Sequence, residues 1–368
     1  MRTKLLRIAF VHNYYIHYRV PFFEQLSMKY NVVFFFDAIQ SYIEHISSKI
    51  RYILPFNIKV RNFAIPVLLP FYLIRKKFDV FIAGDAANIS TVTTFFVSKM
   101  MRKSFILWEE RWFIRDKISA IMWPFIRFIS YHAGALIVPG TKSKEFFVRI
   151  GVPTNKIFIA PNASNIKAST FNKKKIEKTR QKLGLLNKTV ILYIGRVTKI
   201  KGVSTLLKAF TELHTQRKDI YLIVAGDIDT KYQKELNQLS KNLNTSKLKI
   251  TGHLSMSDRE FYFKMADVIV VPSITEVWGL AINEALVAGK PVISTKTTGA
   301  SYDLIQNNIN GFIIYPDKVD ALIYYLKLLI ENPKLMIKFG KNSKKIAEQG
   351  FTYNHMITGF DNALDKIS

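Results

Sequence analysis

The stretch from Met265 to Ser301 reads MADVIVVPSITEVWGLAINEALVAGKPVISTKTTGAS and decides the fold of the chain around it. A short apolar run, Val268 to Val271, predicts a buried strand. A helical pattern follows from Ala281 to Ala288 and ends at Gly289 and Pro291, where a second apolar run begins. Strand, loop, helix and strand in direct succession indicate a parallel α/β sheet.

Two acids flank the predicted start of this helix. Glu276 lies in the loop before it, and Glu284 lies about two turns inside it. Gly279 lets a ligand approach the backbone closely, and the free N–H groups near Leu280 favour a phosphate. An elongated ligand with a central phosphate would meet both acids, and a nucleotide sugar has that shape.

The composition indicates a globular protein of two α/β domains. The 368 residues are 49% hydrophobic, which suffices for sizeable cores. Because the sequence has no cysteine, disulfides and thiolate metal sites are excluded, and the histidines show no metal-ligand spacing. The apolar run after the first basic residues is too short for a signal peptide, so we expect none.

The net charge of +27 is spread almost evenly over residues 1–165 and 166–368 and predicts a polyanionic partner. Nucleic acid is disfavoured, since no zinc finger, RNP-like motif or arginine-rich arm is present. We expect an anionic membrane surface instead, because residues 63–77 join an apolar run to three cations and residues 118–140 contain no acid. A buried helix with a solvated cationic end is the alternative for residues 63–77. Further candidates for this surface are Trp112, Phe113, Trp123, Phe125, Arg127 and Phe128.

The first half of the chain predicts a doubly wound sheet. A strand from Leu5 to Val11 precedes a loop that contains His12 and Asn13, and a helix and another strand follow. Ligands of such sheets bind beyond the carboxyl ends of the strands, so His12 and Asn13 are candidates for substrate contact. A polar loop without a role is the alternative.

Paired acids follow another strand of this half. Glu109 and Glu110 come directly after the apolar run Phe105 to Trp108, where catalytic groups stand in open α/β sheets. We therefore treat both as candidates for substrate contact or proton handling. The alternative is a solvated turn that pairs with Arg111.

In the second half, the loop at 195–202 suits a diphosphate. Arg196 offers a planar fork for phosphate oxygens and Lys201 a point charge, while Gly195 and Gly202 allow close approach. Alone, these would be two more cations in a basic protein. Together with the segment that carries Glu276 and Glu284, these two cations indicate a specific phosphate-binding site.

Two weaker motifs are set aside. Asp227 and Asp229 form an Asp-x-Asp pair, but two carboxylates with nothing else convergent make a weak divalent site, so we predict no metal. Gly289-Lys290 ends a helix and is followed by Pro291, which excludes a phosphate loop.

The motifs GRVTKIKG at 195–202 and PSITEVWGLAINEALVAGKPVI at 272–293 closely resemble the GT-B glycosyltransferases of family 4, which are retaining enzymes that use nucleotide sugars. The likeness covers most of residues 190–315, and the first half matches in layout only. The spacing of the two family glutamates is met by Glu276 and Glu284. Many members have glycine after the first glutamate, where this chain has Val277.

The resemblance implies an α/β fold of GT-B type, with two Rossmann-like, doubly wound parallel-sheet domains facing a central cleft. Residues 1–165 would form the acceptor-binding domain and residues 166–350 the nucleotide-sugar-binding domain. A helix at 351–368 would cross back to the first domain.

The resemblance also implies residue roles. Arg196 and Lys201 would bind the diphosphate and stabilise the leaving group, and Glu276 would contact the donor sugar. The remaining donor contacts would come from Gly195, from the backbone of Trp278, Gly279 and Leu280, from Glu284 at the ribose hydroxyls, and from Gly252 and His253 near the base. Because the leaving phosphate helps to take the acceptor proton in front-face attack, no strong protein base is needed. His12, Asn13, Glu109 and Glu110 remain the acceptor-side candidates.

The implied function is transfer of a sugar from a UDP- or GDP-linked donor to a glycan or lipid-linked acceptor, in cell-surface polysaccharide or glycolipid synthesis. We expect no cofactor and no metal, and a cytoplasmic protein that lies peripherally on the inner face of the cell membrane. The alternative is a non-catalytic GT-B-fold partner that binds a glycan or forms a complex. The presence of Arg196, Lys201, Glu276 and Glu284 argues against that alternative.

Overall fold

The structure, a computed structural model, describes residues 6–39, 46–60, 63–114, 120–166, 173–241 and 247–367. The chain divides into two compact units. One comprises Met1–Asn162 with Tyr353–Ser368, and the other comprises Ala163–Thr352. Each unit is built on a parallel sheet.

Strands and helices alternate in most of the first unit. Its strands are β1 (Arg7–Tyr15), β2 (Asn31–Ile39), β3 (Tyr52–Ile53), β4 (Asn57–Val60), β5 (Phe63–Pro66), β6 (Val80–Gly84), β7 (Ser104–Trp108), β8 (Ala135–Val138) and β9 (Ile157–Ile159). Its helices before residue 163 are α1 (Val20–Lys29), α2 (Leu69–Arg75), α3 (Ile89–Met100), α4 (Trp123–His132) and α5 (Thr141–Arg149). The alternation is interrupted from β2 to β5, where four described strands follow one another and β4 and β5 form an antiparallel pair.

The main sheet of this unit is parallel and has the order β3-β2-β1-β6-β7-β8-β9. Strand order reverses between β1 and β6, which makes the carboxyl ends of these two strands the topological switch point. Helices α2, α3 and α4 cover one face through apolar side chains such as Leu73, Phe95 and Ile129. Helix α1 covers the other face through Phe22 and Phe23.

The second unit repeats this architecture. Its strands are β10 (Thr189–Ile194), β11 (Ile220–Ala225), β12 (Leu248–Ile250), β13 (Val268–Val271), β14 (Val292–Thr295) and β15 (Gly311–Ile314). Its helices are α6 (Lys173–Lys182), α7 (Val203–Gln216), α8 (Gln233–Lys241), α9 (Met256–Met265), α10 (Leu280–Val287), α11 (Ser301–Leu304), α12 (Val319–Glu331) and α13 (Pro333–Gly350).

The sheet of the second unit is also parallel, with the order β12-β11-β10-β13-β14-β15, so its switch point lies between β10 and β13. Apolar side chains fill both faces, as the near-continuous apolar runs of parallel strands require. The predicted fold class, two doubly wound parallel-sheet α/β domains, is confirmed.

The last helix, α14 (Tyr353–Ile367), belongs to the first unit. Its buried side chains Met356, Phe360 and Leu364 join the same apolar cluster as Phe22 and Phe23 of α1. A hydrogen bond of 2.8 Å from the Tyr30 hydroxyl to Asp361 Oδ1 fixes its outer side. The helix therefore completes the face of the first sheet that α1 covers in part.

Two local predictions are wrong. His12 and Asn13 do not lie in a loop, because β1 continues to Tyr15 and pairs with β2 as far as Ile39. Leu5, where we predicted this strand to begin, lies outside the described residues. The alternative for residues 63–77, a buried helix with a solvated cationic end, is also wrong, since these residues comprise β5, a turn and α2.

Candidate active site

Two loops of the second unit meet at the switch point of its sheet. The first follows β10 and contains Arg196 and Lys201, and the second follows β13 and contains Glu276. The backbone N–H of Ile274 donates to the carbonyl of Ile200 at 2.9 Å, which ties the loops together. Ligands of doubly wound sheets bind at this position, so the site is where the topology predicts it.

Glycine is required where the two loops touch. Gly202 has a φ of +66°, and a Cβ atom at this position would lie 2.0 Å from the carbonyl oxygen of Pro272. Gly279 has a φ of +97°, and its Cβ would lie 2.6 Å from Thr298 Cγ2. Val277 is not among the positive-φ residues of the described chain, so the glycine of other family members is not needed there.

Lys201 and Glu276 form an ion pair within this site. The Lys201 ammonium binds Glu276 Oε2, and both side chains are largely but not fully buried. The loop around Glu276 is held by its own backbone, since Glu276 N donates to Thr297 O at 3.0 Å and Gly299 N donates to Glu276 O at 3.2 Å. A cation and an acid are thus held side by side.

Arg196 is exposed in the same loop, and its guanidinium has no ion-pair partner among the described residues. Its carbonyl accepts a 2.7 Å hydrogen bond from the hydroxyl of Tyr193, the buried residue near the end of β10. Burial raises the pKa of Tyr193, as does Glu276, whereas the charges of Arg259 and Arg196 act against that rise. The charges of Glu276, Arg259 and Arg196 therefore all act on the Tyr193 hydroxyl.

Glu284 lies on α10 and is almost fully buried. Its Oε1 accepts a hydrogen bond of 2.7 Å from Arg259 Nε, and its Oε2 binds Arg259 Nη2. No side chain caps the N-terminus of α10, at which Gly279 is the N-cap residue. Uncapped N–H groups at a helix start favour an anion.

Trp278 supports the loop instead of facing solvent. Its indole N–H donates to Asn283 Oδ1 at 2.8 Å, and its carbonyl accepts from Ala300 N at 2.8 Å. The predicted use of its backbone by a ligand stays a prediction, as do those of Gly279 and Leu280.

The remaining donor-side candidates lie on the neighbouring strand ends. Gly252 follows β12 with a φ of +70°. His253 is exposed, and its Nδ1 lies 3.0 Å from Asp227 Oδ2. Asp229 Oδ1 accepts from Lys231 N at 2.9 Å, so Asp229 stabilises its own turn while Asp227 contacts His253. Within the described ranges, no group of three or more His, Asp or Glu side chains is placed to hold a metal ion.

The candidates of the first unit form a separate network at the carboxyl edge of its sheet. Arg19 links two of them, because its Nη1 donates to His12 Nε2 at 2.7 Å and its Nη2 donates to Glu110 Oε1 at 2.6 Å. His12 Nδ1 donates to Tyr14 O at 3.0 Å. Burial, and then the Arg19 charge, lowers the pKa of His12 well below its ordinary value. His12 is therefore neutral, with both ring nitrogens engaged.

Glu109 and Glu110 have different environments. Glu109 is buried, and its carboxylate accepts from Ala86 N at 2.8 Å and pairs with Arg111 Nε at 3.0 Å. Burial raises the pKa of Glu109, while the Arg111 charge acts against that rise. Glu110 is about one-quarter exposed, and Asn162 Nδ2 donates to its Oε1 at 3.0 Å. Glu110 thus reaches solvent and Glu109 does not. The last candidate, Asn13, accepts a hydrogen bond from the backbone N–H of its neighbour Tyr14 through Oδ1.

The sequence alone did not indicate three residues of these networks, which are Tyr193, Arg259 and Arg19. Tyr193 reads as an ordinary strand residue, and Arg259 as a cation on the polar side of a helix. Their partners lie elsewhere in the chain, so no local spacing could identify them.

A sequence profile of the family described as "Glycosyl transferases group 1" matches residues 175–346. This stretch is a group 1 glycosyl transferase domain. It contains Arg196, Lys201, Glu276 and Glu284, and it lies wholly within the second unit.

Two curated relatives of this glycosyl transferase domain show the range of similarity. The lipopolysaccharide 1,2-N-acetylglucosaminetransferase of Salmonella typhimurium is 31% identical over 198 residues, which cover 51% of each chain. The alpha-monoglucosyldiacylglycerol synthase of Acholeplasma laidlawii is 27% identical over 218 residues, covering 56% of this chain and 52% of that one. The chain thus spans about half the length of the curated relatives it matches.

The fold of the whole chain is similar to that of a solved structure. The structure of Anabaena Alr3699/HepE in complex with UDP matches 98% of this chain and 100% of the other, with a TM-score of 0.84 and 19% sequence identity. The fold is therefore of GT-B type, as the sequence resemblance implied.

Proposed function

We propose that this protein is a retaining glycosyltransferase that moves a sugar from a nucleoside diphosphate to a glycan or lipid-linked acceptor. One observation carries the proposal: Arg196, Lys201 and Glu276 converge on the switch point of the second sheet, beside the uncapped start of α10. Cations and helix N–H groups match a diphosphate, and an adjacent acid matches a sugar. The name of the Salmonella relative states N-acetylglucosamine transfer, and that of the Acholeplasma relative states synthesis of a glucosylated lipid.

The donor is a UDP- or GDP-linked sugar in this proposal. Glycosyl transfer places negative charge on the leaving diphosphate, and fixed cations that are already in position stabilise it without reorganisation. Arg196 supplies the exposed guanidinium, and Lys201 the ammonium that Glu276 holds in place. The HepE complex with UDP supports a nucleoside diphosphate at this fold.

In this proposal the transferred sugar keeps its anomeric configuration because the acceptor attacks the donor from the front face. The acceptor hydroxyl approaches the anomeric carbon from the side of the leaving phosphate, which takes its proton, so no strong protein base is required. Glu276 contacts the donor sugar and stabilises the developing positive charge. Neutral His12, whose Nε2 already accepts from Arg19, then serves to orient Arg19 instead of removing a proton.

The acceptor is bound by the first unit in this proposal, and Glu110 is the acid that contacts it. Glu110 Oε1 is held by Arg19 and Asn162, and the carboxylate is still partly open to solvent. Glu109 is enclosed by its donors and keeps the end of β7 in place.

We further propose that the first unit lies on the cytoplasmic face of the cell membrane. Helices α2, α3 and α4 contain no acid and cover the same sheet face, with Phe95 of α3 against Phe128 of α4 at 5.9 Å between ring centroids. Their outer side exposes an apolar surface, here the docking face, which consists of Val67, Leu68, Phe71, Ile74, Phe96, Met100, Ile121, Phe125, Phe128 and Tyr131.

Exposed cations border the docking face. Arg75, Lys99 and Arg127 lie on the same three helices. An apolar surface with cations suits an anionic bilayer interface. Of the aromatic residues predicted for this surface, Phe125 and Phe128 are exposed, whereas Trp112, Phe113 and Trp123 are half-buried. None of the described helices is long and apolar enough to cross a bilayer.

The donor proposal is tested by nucleotide binding. Isothermal titration with UDP, GDP and their common sugar conjugates should show binding of one nucleotide class to the wild type. Arg196→Met should weaken that binding about tenfold or more, because a charge-assisted contact is lost. Lys199→Met, which removes an exposed cation of the same loop, is the control and should keep wild-type affinity. Equal affinity of both variants, or no binding by the wild type, would exclude this donor site.

A further inference from the structure

The second unit contains a buried ion pair whose cation has no assigned role. Arg259 lies on α9 and Glu284 on α10, and the guanidinium engages both oxygens of the carboxylate. The Glu284 side chain is only 2% exposed, and that of Arg259 is 22% exposed. A planar fork on a carboxylate fixes the rotation of the acid as well as its position.

The geometry leaves Glu284 with capacity for further donors. A carboxylate has about four lone-pair sites, and Arg259 uses one on each oxygen. One acceptor site therefore remains on each oxygen, and both lie in a plane that Arg259 sets. Two hydroxyl groups on adjacent carbons match such a pair of acceptors.

Arg259 is itself held in place. Ser255 caps α9 by accepting from Asp258 N at 3.1 Å, and the guanidinium lies 5.6 Å from the ring centroid of Phe263. Its charge acts on Tyr193 together with those of Arg196 and Glu276. Arg259 is therefore a fixed part of the donor site and not a mobile surface cation.

We propose that Arg259 is a positioning residue that orients Glu284 to accept hydrogen bonds from the two adjacent ribose hydroxyls of the donor nucleotide. This inference rests on the proposed function, because it takes the ligand of the site to be a nucleoside diphosphate. It adds that recognition of the ribose depends on a residue of α9, which lies outside both sequence motifs. Without Arg259, Glu284 would be a buried carboxylate lacking its counter-charge and its orientation.

If Arg259 only stabilised the fold, its substitution would lower stability without changing ribose recognition. Another partly buried ion pair of the second unit provides a matched control for that case. Arg180 pairs with Asp267 at 3.1 Å and also joins a helix to the core of the second unit. Asp267 precedes β13, so this pair lies at the opposite end of the strand from the donor site. Arg180→Met should lower stability without changing how the protein recognises ribose.

The experiment compares UDP and GDP with their 2′-deoxy forms by isothermal titration on the full chain. Wild type should prefer the ribose form by about tenfold, because a site built to bind a hydroxyl rejects the analogue that lacks it. Arg259→Met should bind the ribose form about tenfold more weakly and lose most of that preference. Arg259→Lys should recover part of it, and Arg180→Met should keep all of it.

The outcomes separate the two proposals. Wild-type preference for ribose in a folded Arg259→Met variant would overturn the inference and leave the donor site intact. The Arg259→Lys variant answers the same question if the methionine variant does not fold, since full wild-type affinity and preference in it would exclude a need for the bidentate fork. A wild type that binds nucleotide without preferring ribose would also overturn the inference. Failure of the wild type to bind either nucleotide would overturn the donor site itself.

Discussion

Neighbouring acids in the first unit have opposite environments, and this decides what each can do. Glu109 is enclosed by backbone donors and Arg111, so its carboxylate stabilises the fold. Glu110 shares Arg19 with His12 and reaches solvent. The sequence places both residues after a strand but cannot distinguish them, because the difference depends on which way each side chain turns.

Substitution of each acid separates these roles. Glu109→Gln should cost about 2 kcal/mol in urea unfolding, because the neutral amide weakens the buried pair with Arg111 and the hydrogen bond from Ala86 N, while Asp85 still pairs with Arg111. Glu110→Gln should cost about 1 kcal/mol or less, since its pair is partly exposed. Glu110→Gln should nevertheless lower transfer to the acceptor in an assay of turnover. A stable Glu109→Gln protein together with a fully active Glu110→Gln protein would contradict this division.

His12 provides a pH dependence of stability. Its pKa in the folded protein is lowered from the ordinary 6.5, so the unfolded chain binds the proton first as the pH falls. Stability due to neutral His12 is therefore present above about pH 6.5 and decreases as the pH falls below that value, by up to about 1.4 kcal/mol per pH unit.

His12→Gln should make this decrease shallower in urea titrations between about pH 5 and pH 7. Burial also lowers the pKa of His214, so His214→Gln should remove a further part of the slope. Identical slopes for wild type and His12→Gln would show that His12 is not held neutral.

The contact between the loops after β10 and β13 is the feature of secondary structure on which the proposed donor site depends. Gly202 and Gly184 share nearly the same left-handed conformation, with φ values of +66° and +64°. A Cβ at Gly184 would meet nothing within 4 Å, whereas one at Gly202 would meet Pro272 O. Substitutions at these two glycines therefore distinguish the cost of backbone strain from the cost of disrupting the contact between the loops.

Alanine at Gly184 should cost about 1 kcal/mol in the free energy of unfolding, which is the strain of the left-handed conformation. Alanine at Gly202 should cost about 3 kcal/mol, because the loops must also move apart. Only Gly202→Ala should weaken nucleotide binding. Equal losses of stability in the two variants, with equal nucleotide affinity, would mean that the loop contact does not build the site.

Local patterns predicted several elements well. The apolar run Val268–Val271 is a strand with those bounds, and the last helix spans Tyr353–Ile367 as its amphipathic pattern indicates. The end of β1 was missed because its continuation to Tyr15 depends on pairing with β2. For residues 63–77, the alternative of a single buried helix is wrong because an apolar run has the same composition in a strand and in a helix.

Only part of the candidate site could be predicted from local sequence patterns. Arg196, Lys201, Glu276 and Glu284 lie in short motifs, where type and spacing carry the chemistry. Arg259 and Tyr193 lie outside these motifs and become partners only when the sheet brings their elements together. Residue type alone does not reveal such partners.

At the scale of the whole molecule, the net charge of +27 and the docking face of α2, α3 and α4 make one prediction. Wild type should co-sediment with phosphatidylglycerol vesicles and much less with phosphatidylcholine vesicles. Phe71→Ser combined with Phe125→Ser should reduce that binding about tenfold or more, because two exposed aromatic side chains are lost.

The control for this experiment is Met28→Ser. Met28 is exposed on α1, which covers the opposite face of the same sheet. This variant should bind vesicles as wild type does. Equal loss in the double variant and the control, or equal binding to both lipids, would mean that the docking face does not contact a membrane.

The central claim is that the second unit binds a nucleotide sugar for transfer, and Glu276 offers its most direct test. Because Glu276 holds Lys201 in an ion pair, Glu276→Gln should bind UDP or GDP as tightly as wild type or more tightly. The same variant should lose about a hundredfold or more in turnover, because the contact to the donor sugar is lost.

The measurement is release of nucleoside diphosphate from a panel of UDP- and GDP-sugars, with a bacterial membrane lipid extract as the acceptor source, alongside nucleotide affinity for both proteins. We expect turnover of at least one donor by wild type, loss of turnover in Glu276→Gln, and undiminished nucleotide affinity in that variant. Nucleotide binding without turnover by wild type would contradict the account and favour a non-catalytic partner of the same fold.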